Sequence, residues 1–77
     1  ETQVVASNIY PNPVEDILNV EAENIDLVEL YDIYGRKLYS EEKSDNVRID
    51  MNNFSHGVYF VKIYSEGKSS VEKIMKK

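Results

Sequence analysis

The chain has 77 residues and no cysteine, which allows one domain with a modest core and excludes a disulfide framework or a thiolate metal site. Acidic residues outnumber basic ones by 14 to 9, and the formal net charge of −5 argues against a nucleic-acid-binding surface. No apolar run approaches the ~20 residues of a membrane-spanning helix, and no signal peptide begins the sequence. If the domain leaves the cell, we expect the export signal to lie on a longer parent protein.

The hydrophobic pattern predicts strands. Apolar and polar residues alternate along the chain, and no long window has the spacing of an amphipathic helix. β-Branched and aromatic residues dominate the apolar set, which favours strands. Turn signals at intervals of roughly 8–12 residues indicate an all-β fold, an Ig-like β-sandwich of about seven antiparallel strands in two sheets. The predicted strands cover residues 4–9, 17–22, 27–33, 37–40, 46–51, 58–64 and 69–75.

Proline, glycine and polar residues mark the predicted connections. Pro11 and Pro13 have no backbone N–H, so residues 10–13 are predicted to form a stiff, extended connector. Gly35 supplies a tight turn, residues 23–24 a second turn, and residues 41–45 a charged loop.

Strand periodicity also predicts which side chains enter the core. Tyr59 should face inward with Val61 and Ile63, because Lys62 marks the opposite face as wetter. Phe54 is expected to plug one end of the sandwich. In the last strand Val71 and Ile74 have opposite parity, which suggests a bulge or a fully buried end.

Residues with catalytic or ligand-binding potential form no clear constellation. His56 is the single histidine and is interpreted as a turn residue, since no partner for acid–base work is evident. The carboxylates are spread evenly, as on a solvated face. A calcium site is one alternative, with oxygen ligands from Asp45, Asp50, Asn52 and Asn53. A sugar-binding platform of tyrosines is another, formed by Tyr31, Tyr39 and Tyr64. No cofactor is expected, and the chain is not expected to be an enzyme.

Four motifs in fixed order resemble a known family. They are Tyr10-Pro11-Asn12-Pro13, then Asp32-Ile33-Tyr34-Gly35-Arg36, then Gly57-Val58-Tyr59-Phe60, then Lys73-Ile74-Met75-Lys76-Lys77. In this order and spacing the chain resembles the C-terminal sorting domain (type A) of the type IX, or Por, secretion system of Bacteroidetes. The resemblance covers residues 9–77, so residues 1–8 are interpreted as a linker or first strand near a processing site.

The resemblance implies a non-catalytic address label on a larger cargo, often a protease, adhesin or other hydrolase. Such a label is carried through the periplasm by shuttle components and recognised by the type IX translocon at the outer membrane. A sortase-like signal peptidase then removes it at the cell surface. The family's fold is an Ig-like β-sandwich, as the periodicity also predicts. A small carbohydrate- or adhesin-type binding module is the alternative function.

The motif residues are the candidate recognition residues. The prolines offer a stiff surface element, and the terminal lysines offer a cationic end on an acidic body, suited to an acidic receptor. Each also has a structural interpretation: prolines as edge protection, glycines as turn formers, lysines as solubilising groups. Exposed edge strands leave self-association possible. The candidate residues are Pro11, Asn12, Pro13, Gly35, Arg36, Gly57, Tyr59, Lys73, Lys76 and Lys77.

Overall fold

Five strands form one curled sheet in a computed structural model that describes residues 5–77. The named strands pair antiparallel in the order β1-β2-β4-β5, and β3 pairs with β2 along its other edge. The all-β prediction is confirmed, whereas about seven strands in two sheets are not found among residues 5–77. The strands are β1 (Ser7–Tyr10), β2 (Ile17–Tyr31), β3 (Lys37–Asp50), β4 (Gly57–Ser65) and β5 (Lys68–Lys76).

The predicted and observed strands differ in one long two-stranded ribbon, formed by β2 and β3. The two strands predicted at 17–22 and 27–33 are a single strand, β2, and those predicted at 37–40 and 46–51 are its partner β3. The predicted turn at 23–24 lies in an irregularity of this ladder, where the register shifts between Glu21 and Ile25. The predicted loop at 41–45 is wrong, because Glu41, Glu42 and Ser44 pair with β2 as strand residues. The ribbon therefore kinks without breaking, and the expected strand pairs remain joined.

Polar contacts hold this kink. Asn24 takes a left-handed φ of 55°, which asparagine tolerates better than most residues. Its backbone N–H donates to Asp45 Oδ1 at 3.3 Å. From β4, the buried Ser65 hydroxyl donates to the carbonyls of Glu23 and Asn24, at 3.1 and 2.9 Å. These bonds satisfy backbone groups that leave the regular ladder, so the kink is a defined structural feature.

The kink lets the two halves of β2 use their edges differently. β3 follows one edge along the whole strand, while the other edge pairs with β1 at residues 19–22 and with β4 at residues 27–31. The inward faces of both halves contribute to one hydrophobic core. The inward position predicted for Tyr59, Val61 and Ile63 of β4 is confirmed there. The buried set is Val14, Leu18, Val20, Ile25, Val28, Leu30, Val47, Ile49, Met51, Tyr59, Val61, Ile63 and Ile74.

Three local predictions need correction or limits. The segment before β2 bends at residues 12–13 and again at 15–16, so the extended connector is not found; the Tyr10–Pro11 and Asn12–Pro13 peptide bonds are both cis. β5 keeps an unbroken register with β4, so the predicted bulge is wrong. Val71 simply points away from the core and is 56% exposed. The first predicted strand begins at Val4, which lies outside the described residues.

Over residues 5–77 there is no helix of the length and apolar character needed to cross a membrane.

Candidate recognition site

The β2–β3 turn is built around the carboxylate of Asp32. Its Oδ1 accepts hydrogen bonds from the backbone N–H groups of Tyr34 and Arg36, at 2.9 and 3.0 Å. Its Oδ2 lies 2.7 Å from Arg36 Nε. Gly35 completes the turn with a φ of 81°, which a residue without Cβ adopts freely. The spacing of Asp, Gly and Arg in this motif therefore has a structural cause.

The same bonds set the electrostatics of the turn. Loss of hydration at Asp32 raises the pKa of its carboxyl, but hydrogen bonds from Arg36 and Tyr34 outweigh this, and the net pKa lies below its ordinary value. The carboxylate is thus charged at neutral pH. The Arg36 side chain itself remains 73% exposed, and its guanidinium lies 5.5 Å from the centre of the Tyr34 ring. Arg36 is held in position while still facing solvent.

Tyr59 anchors the beginning of β4. It is 5% exposed, its hydroxyl donates to the carbonyl of Ser55 at 2.7 Å, and its ring centre lies 5.9 Å from that of Phe54. Phe54 packs against the core, as expected of an end plug. Gly57 has a φ of 138°, a region that side-chain-bearing residues rarely adopt, and it starts the strand after the turn. These two motif residues are structural in their immediate contacts.

The proline-containing segment docks against the end of β5. The Asn12 side chain accepts a hydrogen bond from Met75 N–H at 3.0 Å and donates to the Lys73 carbonyl at 3.4 Å. Val14 then donates its backbone N–H to Met75 O at 2.8 Å and accepts from Lys77 N–H at 2.9 Å. Residues 12–14 therefore cover the edge of β5 that faces away from β4, and they fix the path of the C-terminal residues.

Strand register brings the remaining motifs to the same end of the sheet. Gly57 pairs with Lys76, and Tyr59 pairs with Ile74. Phe60 of β4 pairs with Tyr31 of β2 on one side and with Lys73 of β5 on the other. The turn that follows Tyr31 therefore begins two strands away from the C-terminal residues 73–77, which we call the tail. We call this region the motif end: Pro11, Asn12, Pro13, Gly35, Arg36, Gly57, Tyr59, Lys73, Lys76 and Lys77.

The candidate residues divide into two groups by exposure. Tyr59 is buried, and Gly57 and Lys76 are half-buried, whereas the other seven are exposed. The motif end therefore presents prolines, Asn12, Arg36 and basic tail residues on a buried support. Lys76 Nζ donates to the Lys77 carbonyl at 2.8 Å. Exposure alone does not separate the candidates by role, because the exposed Asn12 and Gly35 also have structural contacts or a left-handed φ.

Sequence reasoning missed two contributors to this region. Val14 is fully buried, and it supplies both backbone bonds to the tail. An apolar residue between Pro13 and two acidic residues was the available signal for its burial. Asp32 was recognised only as part of a motif. Its spacing from Gly35 and Arg36 is the signal for its role as acceptor of the turn's N–H groups.

The alternative sites are not assembled as their hypotheses require. Tyr39 packs against the core, whereas Tyr31 and Tyr64 lie on the opposite face of the sheet, so the three tyrosines do not share a platform. Asp50 Oδ1 accepts from the backbone and side chain of Asn52, at 3.0 and 2.9 Å. In the described part of the chain, no group of three or more His, Cys, Asp or Glu side chains is placed to hold a metal ion. His56 is an exposed turn residue.

The fold and the motif end define a small β-domain whose motif residues lie toward one end of its sheet. The chain matches the secretion system C-terminal sorting domain family over residues 8–77. It belongs to that family, the C-terminal sorting domains of the type IX, or Por, secretion system. The resemblance inferred from the four motifs is thus confirmed.

One relative is a much longer protein than this chain. The chain is similar to the ulvan lyase NLR42 of Nonlabens ulvanivorans, with 28% identity over 65 residues that cover 79% of this chain. The match covers 12% of the length of that relative. Family membership makes the chain a type IX C-terminal secretion signal, which implies interaction with that machinery and export of a secreted protein to the cell surface.

Proposed function

We propose that this domain is a non-catalytic tag that directs a larger cargo protein through the outer-membrane translocon of the type IX system. In this proposal shuttle components and the translocon read the folded domain after transit through the periplasm. A sortase-like signal peptidase then removes the tag at the cell surface. Residues 9–77 are the sorting domain, and residues 1–8 are a linker or first strand near the cleaved bond.

The observation that carries the proposal is the convergence of the family motifs at the motif end. Asn12 and Val14 hold the tail through backbone groups of Lys73, Met75 and Lys77, which leaves the side chains of these tail residues available to a receptor. A preformed element loses little conformational entropy when it binds. The basic tail also differs in sign from the chain as a whole, whose net charge is −5. These features support recognition by shape and charge rather than chemistry.

The size of the match supports the idea of an appended tag. The chain corresponds to 12% of the ulvan lyase that it resembles, which leaves most of that protein for another role. We propose that the cargo here is likewise a larger extracellular protein.

Export of a fusion tests the proposal. The 77-residue chain is joined to the C-terminus of a reporter that carries a signal peptide, in a Bacteroidetes host with a working type IX system. We expect the reporter outside the cell or on its surface, and we expect it in the periplasm when the translocon is inactivated. Periplasmic retention of the reporter in the competent host would contradict the proposal.

A second experiment distinguishes the role of the side-chain charges of the tail from that of its backbone hydrogen bonds. The double substitution Lys76→Ala/Lys77→Ala keeps the backbone bond between Lys77 and Val14 and removes two charges. We expect reduced export with little change in melting temperature. The matched control is Lys43→Ala/Lys68→Ala, which removes two exposed charges elsewhere. Equal export by both double variants would show that the tail charges have no special role.

A further inference from the structure

The sheet has a second apolar surface on the side opposite the core. Residues that pair directly across antiparallel strands point to the same face, so the outward rows can be followed across β5, β4 and β2. Met75 pairs with Val58, and Lys73 pairs with Phe60, which pairs with Tyr31. Met75 is 47% exposed and Val71 is 56% exposed. We call this surface the outer face: Tyr31, Val58, Phe60, Val71, Lys73 and Met75.

The outward surface of the other half of the sheet differs in composition. There Glu21 pairs with Asn8 and Asn46, and Asn19 pairs with Tyr10 and Arg48. That half shows the usual pattern of an antiparallel sheet, apolar toward the core and polar toward water. The outer face departs from this pattern although it covers the same core. Exposed apolar side chains on a sheet face, here Val71 and Met75 beside the half-buried Val58 and Phe60, are typical of an interaction site.

Charge on the outer face indicates the chemistry of the partner. The acidic group there, Glu29, is 6% exposed and is satisfied by the Tyr31 hydroxyl at 2.9 Å and by Lys37 Nζ at 3.3 Å. Within residues 5–77 the ion pairs are Lys37–Glu29 and Arg36–Asp32. Lys62 lies directly across from Glu29 in the β2–β4 register, with its Nζ 5.0 Å from the centre of the Tyr64 ring, whereas Lys73 on β5 is exposed. These two cations flank the apolar side chains on a chain with a net charge of −5.

We propose that the outer face binds a folded protein surface that is apolar at its centre and acidic at its margin. The inference rests on the proposed function, because it assigns this surface to a component of the export machinery. Apolar contact accounts for affinity, and the lysines select an acidic partner and orient it. Lys73 and Met75 belong both to the outer face and to the tail that Asn12 holds, so the surface is continuous with the motif end.

Two other occupants fit the observations less well. An anionic membrane would repel a chain of net charge −5, and Tyr31, Val58 and Phe60 are half-buried within the sheet rather than projecting from it. A second copy stacked on the same face would bring lysines of like charge together, which opposes association. A protein of complementary charge meets neither obstacle.

The test compares two fusions with the same change in charge. Lys73→Glu/Met75→Glu alters the outer face, and Arg48→Glu/Asn46→Glu alters the polar outward surface of the other half of the sheet. Each pair changes the net charge by the same amount and leaves backbone hydrogen bonds in place. We expect the outer-face pair to lower the amount of exported reporter at least tenfold, while the control pair exports as the unaltered domain does. Circular dichroism and the melting temperature of each purified domain check the fold.

Single substitutions of Lys73, a vesicle-binding assay and a sedimentation measurement complete the test. If the double variant does not fold, the single change Lys73→Glu replaces it, and Lys73→Arg is expected to restore export. Normal export by a folded Lys73→Glu variant, or an equal loss in the control pair, would overturn the inference. So would binding of the unaltered domain to phosphatidylglycerol vesicles that Lys73→Glu abolishes, or a dimer in sedimentation that it dissociates. Failure of the unaltered fusion to be exported would instead refute the proposed function.

Discussion

Tyr59 shows how one motif residue acts through packing. Its ring is 95% removed from solvent and contacts Phe54, and its hydroxyl closes the 55–59 turn. We expect Tyr59→Ala to lower the free energy of unfolding by about 3–5 kcal/mol, the usual cost of removing a buried aromatic side chain. Tyr59→Phe should cost about 1 kcal/mol, because it removes one hydrogen bond and keeps the ring. Urea denaturation measures both; a loss below about 1 kcal/mol for Tyr59→Ala would contradict the packing.

Gly35 is required by backbone conformation and not by space. Its φ is 81°, and no atom lies within 4 Å of a Cβ built at this position. We expect Gly35→Ala to lower the free energy of unfolding by about 1–2 kcal/mol, the cost of a left-handed conformation for an L residue. Gly35→Asn should cost less, since asparagine enters this region more readily. Equal losses in thermal denaturation of the two variants would refute this explanation.

At the residue scale the sequence carried most of the information about the core. Alternation correctly predicted Tyr59, Val61 and Ile63 as inward, and Lys62 as outward. This worked because burial on one face of a strand repeats every second residue. It failed for Val71, where an apolar side chain on the outward face was mistaken for evidence of a bulge. A prediction from strand periodicity assumes that apolar side chains lie on one face of the strand, and the outer face does not meet that assumption.

At the scale of elements, the β2–β3 ribbon was predictable only in part. Glu23 and Asn24 predict a turn, and Asn24 has a left-handed φ of 55°. A single such residue serves equally in a turn or in a kinked strand. The choice is made by Ser65 and Asp45, which bind the kink from distant parts of the chain. Local sequence does not contain that information, so two strands were predicted in place of one.

The contact between residues 12–14 and β5 likewise joins distant parts of the chain. Asn12 and Met75 are 63 positions apart, and no local pattern links them. Both motifs were found in the sequence, but their contact was not. The structure explains why an asparagine stands between the prolines: its side chain offers an acceptor to Met75 and a donor to Lys73, as a neighbouring strand would.

Removing that side chain should loosen the tail without unfolding the domain. In Asn12→Ala the Met75 amide loses its acceptor, and we expect it to exchange with solvent about tenfold faster. The amide of Val61, in the middle of β4, serves as the internal control and should keep its rate. Hydrogen exchange followed by NMR makes the measurement. Unchanged protection of Met75 would show that backbone bonds from Val14 alone hold the tail.

At the scale of the whole molecule, two depressed carboxyl pKa values link stability to pH. Burial raises the pKa of Glu29, but hydrogen bonds from Tyr31 and Lys37 outweigh it, so the net pKa is below the ordinary value, as at Asp32. Such groups stabilise the fold above their unfolded pKa values of about 4, and this contribution is lost as pH falls through the folded values.

We therefore expect the melting temperature to fall as the pH drops below about 4. A variant with Glu29→Gln and Asp32→Asn should melt lower at pH 7 and should lose less on acidification, because neither side chain titrates. Differential scanning calorimetry between pH 7 and pH 2 gives both curves. Parallel curves for the two proteins would mean that other groups cause the acid sensitivity.

The central claim is that the export machinery binds an ordered tail, residues 73–77, which residues 12–14 hold in place. Export of the reporter fusion, measured for Asn12→Ala beside Tyr59→Phe, tests it most directly. Asn12→Ala loosens the tail and leaves the core intact, whereas Tyr59→Phe weakens the core and leaves the tail contacts in place. We predict that export falls for Asn12→Ala and stays near the unaltered level for Tyr59→Phe. Export that follows melting temperature across the two variants, whatever the order of the tail, would contradict the account.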